Sequence, residues 1–449
     1  MERQFLVLDK FLNIFRIQDL RKKLIFTGLI LLVYRLGGKG PIPGVDKSAL
    51  ASMMNQYKDS LLGLYDMFAG GFFSQASIFA LGIMPYISAS IIIQLLGAVV
   101  PYFQRLQKEG EEGRKKIIQL TRYGTVLIAT LQSTGMAVFL SSQTTSIGPV
   151  VPNANIIFYL VTIITMVTGV IFVMWLGEQI SDHGIGNGIS LIIMVGIIAR
   201  APSVFRGQIL NIQNGLSNPL ENIFLLLLMF GITWVVVAVT TGVRKIPVQY
   251  AKRVVGRKVY GGQATHIPLK ILTAGVMPII FAQALMFLPS TIASFFPQGN
   301  GFGEWLQRVF APTHIIYSLF FALLIIIFTY FYTAIAFNPV DVADNMKKQG
   351  GFIPGVRPGK STSDYIDNIL TRVTLPASIF LALIAIFPTF LSGYFNVDFA
   401  LASFYGGTSL LIIVGVALDT LQQIESHLLM RHYDGFLKTG KIKGRDRRR

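Results

Sequence analysis

The length, composition and charge of this chain exclude a soluble globular protein and indicate an integral membrane protein. Of its 449 residues, 52% are hydrophobic and only 14% are charged, whereas soluble domains average about 25% charged residues. The chain contains no cysteine, which excludes disulfides, thiolate nucleophiles and cysteine-based metal sites. A net charge of +17 suits nucleic acid, anionic lipid or ribosomal RNA as a partner, and the positions of the charges must decide among them.

The first predicted elements are a surface segment and a short span. Residues 1–23 place apolar side chains at near-helical spacing among basic ones, which is typical of an amphipathic helix on a membrane surface. The segment lacks the continuous apolar core and small-residue cleavage site of a signal peptide. The first membrane span is predicted at about residues 24–36.

The second element, Leu61–Val100, is interrupted by glycines. It begins with an apolar helix, Leu61 to about Phe68, that is too short to cross a membrane. A Gly70-Gly71 break follows, and then about 25 residues that are long enough to cross. Such a break is tolerated at membrane depth only where protein or a water-filled cavity surrounds it. The stretch therefore predicts half of a pore wall, preceded by an element that lies inside the pore.

Eight more spans are predicted further along the chain, which makes ten. They lie at about residues 117–140, 155–176, 188–203, 220–241, 269–290, 314–337, 372–392 and 404–424. Five spans precede residue 210 and five follow it, so the second half is inverted relative to the first. We predict an all-α membrane protein with halves at 24–210 and 211–424. Residues 425–449 form a basic cytoplasmic tail, and its terminal run KTGKIKGRDRRR is expected to be disordered and to contact lipid or RNA.

The basic residues predict the orientation of these spans. If the N-terminus is cytoplasmic, 32 of the 39 Lys and Arg residues fall in cytoplasmic segments. The remaining seven are Arg35, Lys39, Lys47, Lys58, Arg200, Arg206 and Arg308. By the positive-inside rule, both termini are therefore predicted to be cytoplasmic.

Two motifs resemble those of a known family. Gly82–Leu96, GIMPYISASIIIQLL, resembles the first signature of the SecY/Sec61-alpha family of protein-conducting channels. Trp175–Ile180 together with Gly184–Ser190 resembles the second signature, and the similarity extends over nearly the whole chain. The resemblance implies two inverted five-helix halves around a central hourglass pore. It implies a channel in the bacterial cytoplasmic membrane that passes unfolded secretory polypeptides and releases membrane segments laterally, driven by SecA or the ribosome.

The resemblance also implies a constriction ring and a plug. A ring of branched apolar side chains blocks ions and still deforms around a passing chain. The ring residues, matched by motif, are Ile83, Ile87, Ile189, Ile193, Ile280 and Ile412. Residues 61–73 resemble the plug that fills the resting channel, and its glycine hinge suits an element that swings aside. The plug residues are Leu61, Leu64, Tyr65, Met67, Phe68, Gly70 and Gly71. The alternatives are ordinary core packing for the isoleucines and an immobile re-entrant helix for residues 61–73.

Polar residues lie in the second, third and seventh spans, which form the lateral gate of the family. They are Ser88, Ser90, Gln94, Gln132 and Gln283, with Ser90 and Gln94 on one helix face. Hydrogen bonds worth about 0.6 kcal/mol each are easily separated. The apolar core of a signal sequence gains roughly 3–6 kcal/mol in lipid, close to the about 5.5 kcal/mol that inverts a 1:99 equilibrium. We hypothesise that a signal sequence opens this gate; simple helix–helix association is the alternative.

Two large loops, 242–268 and 338–371, resemble the loops that receive SecA or the ribosome in the family. Tyrosines interleave the basic residues of the first loop, which suits phosphates and an acidic partner. Arg357 matches the family's arginine for motor activation. The candidate docking residues are Arg244, Lys252, Arg253, Arg257, Lys258, Arg357 and Lys360. The alternative is that these charges only enforce topology.

No motif predicts an enzyme, a metal site or a cofactor. Gly355–Ser361 has three residues between its glycines where a phosphate loop has four, and Gly184–Gly188 lacks the dinucleotide spacing. The partners that the resemblance implies are SecE, SecG, SecA, the ribosome, secretory preproteins with signal sequences, anionic lipids and further Sec accessory proteins.

Two points remain open from the sequence. Gly40 occupies a position before a Pro-Ile-Pro-Gly segment where the family has an apolar residue, so the local loop structure is in doubt. The alternative class of protein is a secondary transporter, which would need charged residues deep within its spans. Asp419 is the nearest such residue.

Overall fold

The computed structural model describes most of the chain. The described residues are 17–56, 60–145, 147–215, 218–250, 253–255, 258–260, 264–293, 296, 301–395 and 399–439. Most of the predicted surface segment 1–23 and the end of the basic tail therefore lie outside the described residues.

The N-terminal half is helical apart from one short hairpin. Its helices are α1 (Gln18–Gly37), α2 (Lys47–Gln56), α3 (Leu61–Phe68), α4 (Met84–Val99), α5 (Pro101–Lys108), α6 (Glu111–Ser142), α7 (Ile156–His183), α8 (Gly188–Ile198) and α9 (Ala201–Gln213). Between α6 and α7, strands β1 (Thr144–Thr145) and β2 (Gly148–Pro149) pair antiparallel.

The C-terminal half contains further helices and the remaining described strands. The helices are α10 (Pro219–Thr241), α11 (Met277–Ala293), α12 (Gly301–Val309), α13 (Ile315–Ala336), α14 (Pro339–Lys348), α15 (Lys360–Phe395), α16 (Phe399–Tyr405) and α17 (Gly407–Thr439). The strands are β3 (Val243–Tyr250), β4 (Arg253–Val255), β5 (Lys258–Tyr260), β6 (Ala264–Lys270) and β7 (Gly351–Phe352).

Each of the ten predicted spans falls on a helix or a helix pair. Seven spans in the described part of the chain are long and apolar enough to cross a membrane. Helix α4 meets that criterion only together with α5, and the two are bent by 97° at Val100. Helix α11 is apolar but has 17 residues, and α1 has 20 residues that include several charges.

The second element differs from its prediction in one respect. The run after the glycine break was predicted to cross as a unit of about 25 residues, but the helix begins only at Met84. Residues 72–83 form successive turns. Two of these residues bond to the loop after α1, because the Ile42 N–H donates to the Ala76 carbonyl and the Ile78 N–H to the Gly40 carbonyl. The prediction of one continuous span was therefore wrong, since this segment folds back on the first loop.

Gly40 lies beside this turn. A Cβ atom on Gly40 would lie 2.9 Å from Ile78 Cδ1, which is closer than two carbon atoms can pack. Because Cδ1 is the far end of a flexible side chain, a larger residue at this position requires Ile78 to shift.

The two large loops are joined by a small sheet. Strand β3 pairs antiparallel with β6 from Val243 to Gln249, and its last two residues pair with β7. Since β3 and β7 come from different loops, the sheet makes one unit of both. Its own apolar cluster consists of Ile246, Val248, Leu269, Met346, Ile353 and Ile366. The all-α prediction thus describes the spans, whereas these loops contain strands.

The main core contains side chains from both halves. It extends from Tyr34 in α1 to Val416 in α17 and includes the plug segment. Helices α4 and α6 pack side by side, and α11 contacts both of them. The predicted gate spans are therefore neighbours, with one C-terminal helix against two N-terminal ones.

Candidate functional site

The predicted plug lies inside the main core, between the halves. Ser60 caps α3, with its Oγ accepting a hydrogen bond from the Leu62 N–H at 3.2 Å. The helix contacts α8 of the N-terminal half and α11 and α16 of the C-terminal half. Its buried apolar residues are Leu64, Tyr65, Met67 and Phe68. The Leu61 side chain lies outside the described side chains.

Specific contacts hold this short helix from several sides. The Tyr65 hydroxyl donates a hydrogen bond to the Leu81 carbonyl at 3.0 Å. The Phe287 ring of α11 packs edge-to-face against Tyr65 and Phe68, with centroid separations of 5.3 and 6.0 Å. Such aromatic pairs contribute about 0.5–1.5 kcal/mol each beyond their buried area. The plug is therefore packed as core rather than as a loose loop.

The two hinge glycines are required by their conformation. Gly70 and Gly71 have φ values of +75° and +79°, which are accessible to glycine at little cost. A Cβ on Gly70 would lie 3.0 Å from the Gly196 Cα of α8. Backbone meets backbone at this point, so the plug is seated against the predicted fifth span.

A buried ion pair, which the sequence argument missed, joins the plug to the end of α8. Asp66 Oδ2 lies 3.2 Å from an Arg200 guanidinium nitrogen, and the Asp66 side chain is only 1% exposed. Asp66 Oδ1 accepts a hydrogen bond from the Ser74 N–H at 2.9 Å. A signal was available, because Asp66 is the one charged residue in the apolar stretch Leu61–Phe73, and such residues are rarely buried without a role.

A second arginine holds the hinge from the other side. Arg35, at the end of α1, donates to the Gly70 carbonyl at 2.9 Å. Its guanidinium carbon lies 4.9 Å from the centroid of the Phe72 ring, within the range of a cation–π interaction. The hinge therefore lies between two arginines that come from α1 and from the α8–α9 junction.

The predicted ring isoleucines lie in the same core as the plug. Ile83, Ile87, Ile193, Ile280 and Ile412 are each at most 4% exposed. They come from the α4 segment, α8, α11 and α17, and so from both halves of the chain. The plug residues Leu64, Tyr65, Met67 and Phe68 belong to the same buried cluster as these five isoleucines.

Ile189 occupies a different environment from the other five isoleucines. Its side chain is only partly buried and packs on the margin of the core. Its Cγ1 lies 3.1 Å from the position that a Cβ on Gly177 of α7 would take. The structure thus places Ile189 against the neighbouring helix.

Four predicted gate residues lie on two neighbouring helices. Gln94 Nε2 donates to Ser90 Oγ at 3.1 Å along α4, which confirms the predicted shared face. Ser88 on the same helix and Gln132 on α6 are buried. Gln132 Oε1 is buried without a hydrogen-bond partner in the described part of the chain. Such an unpaired buried acceptor costs free energy.

Gln283 lies apart from the other four. Its amide nitrogen is 3.5 Å from the Tyr317 hydroxyl of α13. It lines a small cleft beside Leu64 of the plug, which Ser403 and Thr408 also line. The Ser403 hydroxyl is buried without a partner among the described residues. The structure therefore directs Gln283 toward the C-terminal half and the plug, not toward Gln94.

The described docking residues are exposed. Arg244 lies on β3, and Arg357 and Lys360 flank the turn before α15. The Thr362 hydroxyl donates to the Arg357 carbonyl at 2.9 Å, which fixes the backbone of that turn. The side chains of Lys252, Arg253, Arg257 and Lys258 lie outside the described side chains.

A second ion pair lies between α6 and α7. Arg122 donates to both carboxylate oxygens of Glu178, at 3.0 and 2.8 Å. The two side chains are 51% and 15% exposed. Exposed pairs of this kind contribute about 0–1 kcal/mol to stability.

Fold and site together define a multi-span helical membrane protein with a short helix, α3, buried in a core that also contains the five buried isoleucines. A family model described as SecY matches residues 77–421, which is most of the chain. The protein translocase subunit SecY of Escherichia coli K12 is 44% identical over 429 residues, covering 95% of this chain and 96% of that protein. The chain belongs to the SecY family.

Solved structures share the fold. One concerns the plug domain of a SecY protein, which is described as stabilising the closed state of the translocation channel and maintaining a membrane seal. It matches with a TM-score of 0.65 and 18% identity, over 91% of this chain and 92% of that one. Sec61 in the canine ribosome–channel complex of the endoplasmic reticulum matches with a TM-score of 0.58 and 16% identity, over 91% and 93%.

Proposed function

We propose that this chain is the channel-forming subunit of a bacterial Sec translocase. It passes unfolded secretory polypeptides across the cytoplasmic membrane and releases membrane segments laterally into the bilayer. The observation that carries the proposal is the short helix α3, which is packed among isoleucines of both halves and contacts α8, α11 and α16. A helix too short to span, placed between two halves at their centre, suits a removable seal.

The isoleucines supply the seal around a moving chain. Branched apolar side chains leave a narrow neck without water, which blocks ions in the resting state and during transport. They offer no hydrogen bonds to a substrate, so polypeptides of any sequence slide through. Ile83, Ile87, Ile193, Ile280 and Ile412 form this ring, with Ile189 at its margin.

The gate opens between α4 and α6 on one side and α11 on the other. A signal sequence that inserts there gains roughly 3–6 kcal/mol in lipid, and the unpaired Gln132 acceptor lowers the stability of the closed arrangement. Ser88, Ser90 and Gln94 line the α4 side, whereas Gln283 adjusts the contact of α11 with the plug. Transfer of the apolar core of the signal sequence into lipid then supplies enough free energy to shift the gate from closed to open.

The chain itself hydrolyses nothing, and transport is driven from the cytoplasm by SecA or the ribosome. The two large loops supply the docking residues, which are Arg244, Lys252, Arg253, Arg257, Lys258, Arg357 and Lys360, and the small sheet of β3, β6 and β7 joins the loops. SecE clamps the halves, SecG lies at the periphery, and anionic lipids contact the basic segments. The placement of Lys and Arg supports cytoplasmic termini in the bacterial inner membrane.

Single-channel conductance in planar bilayers tests the proposal. The parent protein is compared with a variant that lacks residues 61–73 and with Gly207→Ala, a control in α9 where a Cβ meets nothing within 4 Å. We expect the parent and the control to be silent and the deletion variant to conduct intermittently. Silence of the deletion variant would favour a substrate-specific transporter instead.

A further inference from the structure

Asp66 is in an unusual place for a carboxylate. It belongs to an eight-residue helix whose other members are apolar or glycine, and its side chain is 1% exposed. Removing an ionised carboxylate from water is costly unless hydrogen bonds and an opposite charge compensate. Here Oδ1 accepts the Ser74 N–H and Oδ2 faces Arg200. The bond to Ser74 is local to the plug segment, whereas the contact with Arg200 joins the seated plug to the α8–α9 junction.

Arg200 is well placed to hold the plug. It caps α9, and its carbonyl accepts the N–H groups of Ser203 and Val204 at 3.1 Å each. The residue therefore belongs to the scaffold, and its backbone does not move with the plug. The Arg200 Cδ and Cγ lie 3.7 Å from the position of a Cβ on Gly71. The Arg200 side chain therefore packs against Gly71 of the hinge and also pairs with Asp66 of the adjoining helix α3.

The cost of separating the pair falls mainly on Asp66. Arg200 is 27% exposed and can be hydrated when its partner leaves. The Asp66 side chain is only 1% exposed, and losing one member of a buried pair leaves the other charge uncompensated. The pair therefore stabilises the seated plug over any arrangement in which the helix has moved away from α8.

We propose that the Asp66–Arg200 ion pair is the latch of the plug and sets how strong a signal sequence must be to open the channel. The inference rests on the proposed function of residues 61–73 as a movable seal. It assigns to two named residues a role in substrate selection, although neither touches the substrate in the closed state. Arg35, through the Gly70 carbonyl, holds the hinge end of the same element.

The variants Asp66→Asn and Arg200→Gln test the latch. Asparagine keeps the acceptor for the Ser74 N–H and the shape of the side chain, but it replaces the charged oxygen that faces Arg200 with an uncharged NH2 group. Matched controls are Asp46→Asn, an exposed carboxylate that also accepts main-chain N–H groups, and Arg206→Gln, an exposed arginine of α9. The readouts are the fraction of time that single channels conduct and the export of a substrate with a weakened signal sequence.

We expect both latch variants to raise the conducting fraction about tenfold or more and to export the weak-signal substrate, while both controls match the parent. The double variant should leak no more than the leakier single variant, because either substitution alone already removes the interaction between the two residues. Arg200→Lys retains the charge and should restore most of the seal. Melting temperatures of the purified variants identify any that fail to fold. If Arg200→Gln fails to fold, Arg200→Lys and Asp66→Asn still test the latch.

Three outcomes would overturn the latch. If Asp66→Asn and Arg200→Gln stay silent while the variant lacking residues 61–73 conducts, the plug is real but the ion pair does not hold it. Additive effects in the double variant would mean that the two residues act separately. If Arg200→Lys leaks as much as Arg200→Gln, the charge is not the element that matters. Silence of the deletion variant itself would instead contradict the proposed function.

Discussion

The two ion pairs in the described part of the chain differ in how far water reaches their charges. Asp66–Arg200 lies at the plug with side chains that are 1% and 27% exposed, whereas Arg122–Glu178 joins α6 and α7 with side chains that are 51% and 15% exposed. Water reaches half of the Arg122 side chain, so we expect breaking that pair to change little. The Asp66 carboxylate is almost fully buried and depends on its partner, so we expect breaking that pair to change the conformation that the protein prefers.

We expect the largest change in channel conduction from a substitution at the hinge of the plug. Gly70→Ala adds a Cβ that would lie 3.0 Å from the Gly196 Cα, at a residue with φ of +75°. The backbone strain costs about 1–3 kcal/mol, and the contact adds to it. We expect a channel that conducts nearly as often as one without residues 61–73. Gly207→Ala is the matched control, and conduction by this control would show that the assay does not report on the plug.

A polar residue in the isoleucine ring should have the next largest effect. Ile412→Asn places an amide at a position that is 0% exposed, and an unpaired buried polar group costs about 1–3 kcal/mol. The melting temperature should fall and brief conducting events should appear, since the ring wets more easily. Ile189→Asn should have a smaller effect, because Ile189 is only partly buried beside Gly177. Equal effects at both positions would place Ile189 in the closed ring.

Glu178→Gln examines the exposed pair. The substitution removes the charge and keeps one acceptor for Arg122, so the loss should be below about 1 kcal/mol. We expect the melting temperature to fall by less than about 4 °C and the conducting fraction to stay at the parent level. An effect on conduction as large as that of Asp66→Asn would mean that burial does not explain the difference between the pairs.

Arg357→Glu should leave the folded state unchanged and still impair transport. The side chain is exposed, and such substitutions usually alter stability by less than about 0.5 kcal/mol. We expect SecA-driven export in proteoliposomes to fall about tenfold through charge repulsion, with unchanged single-channel conductance. Lys348→Glu, an exposed control at the end of α14, should retain export. Equal losses in the two variants would indicate a general charge effect instead of a docking residue.

Much of the architecture was determined by the sequence alone, because it depends on local pattern. Hydropathy predicted where the spans lie, and helix α3 begins and ends where the apolar stretch and the glycine break predicted. The Gly70-Gly71 break corresponds to two residues with positive φ. The i, i+4 spacing of Ser90 and Gln94 predicted their hydrogen bond, since that geometry belongs to the helix itself.

Only the tertiary structure decided which distant residues meet. Asp66 and Arg200, β3 and β7, and Gln283 and Tyr317 are each brought together from separate segments. Hydropathy and periodicity record whether a side chain is apolar and which helix face it occupies, but not which partner faces it across the core. The delayed start of α4 at Met84 has the same origin, because residues 72–83 fold against the loop after α1. Packing between segments overrode the local preference for one long apolar helix.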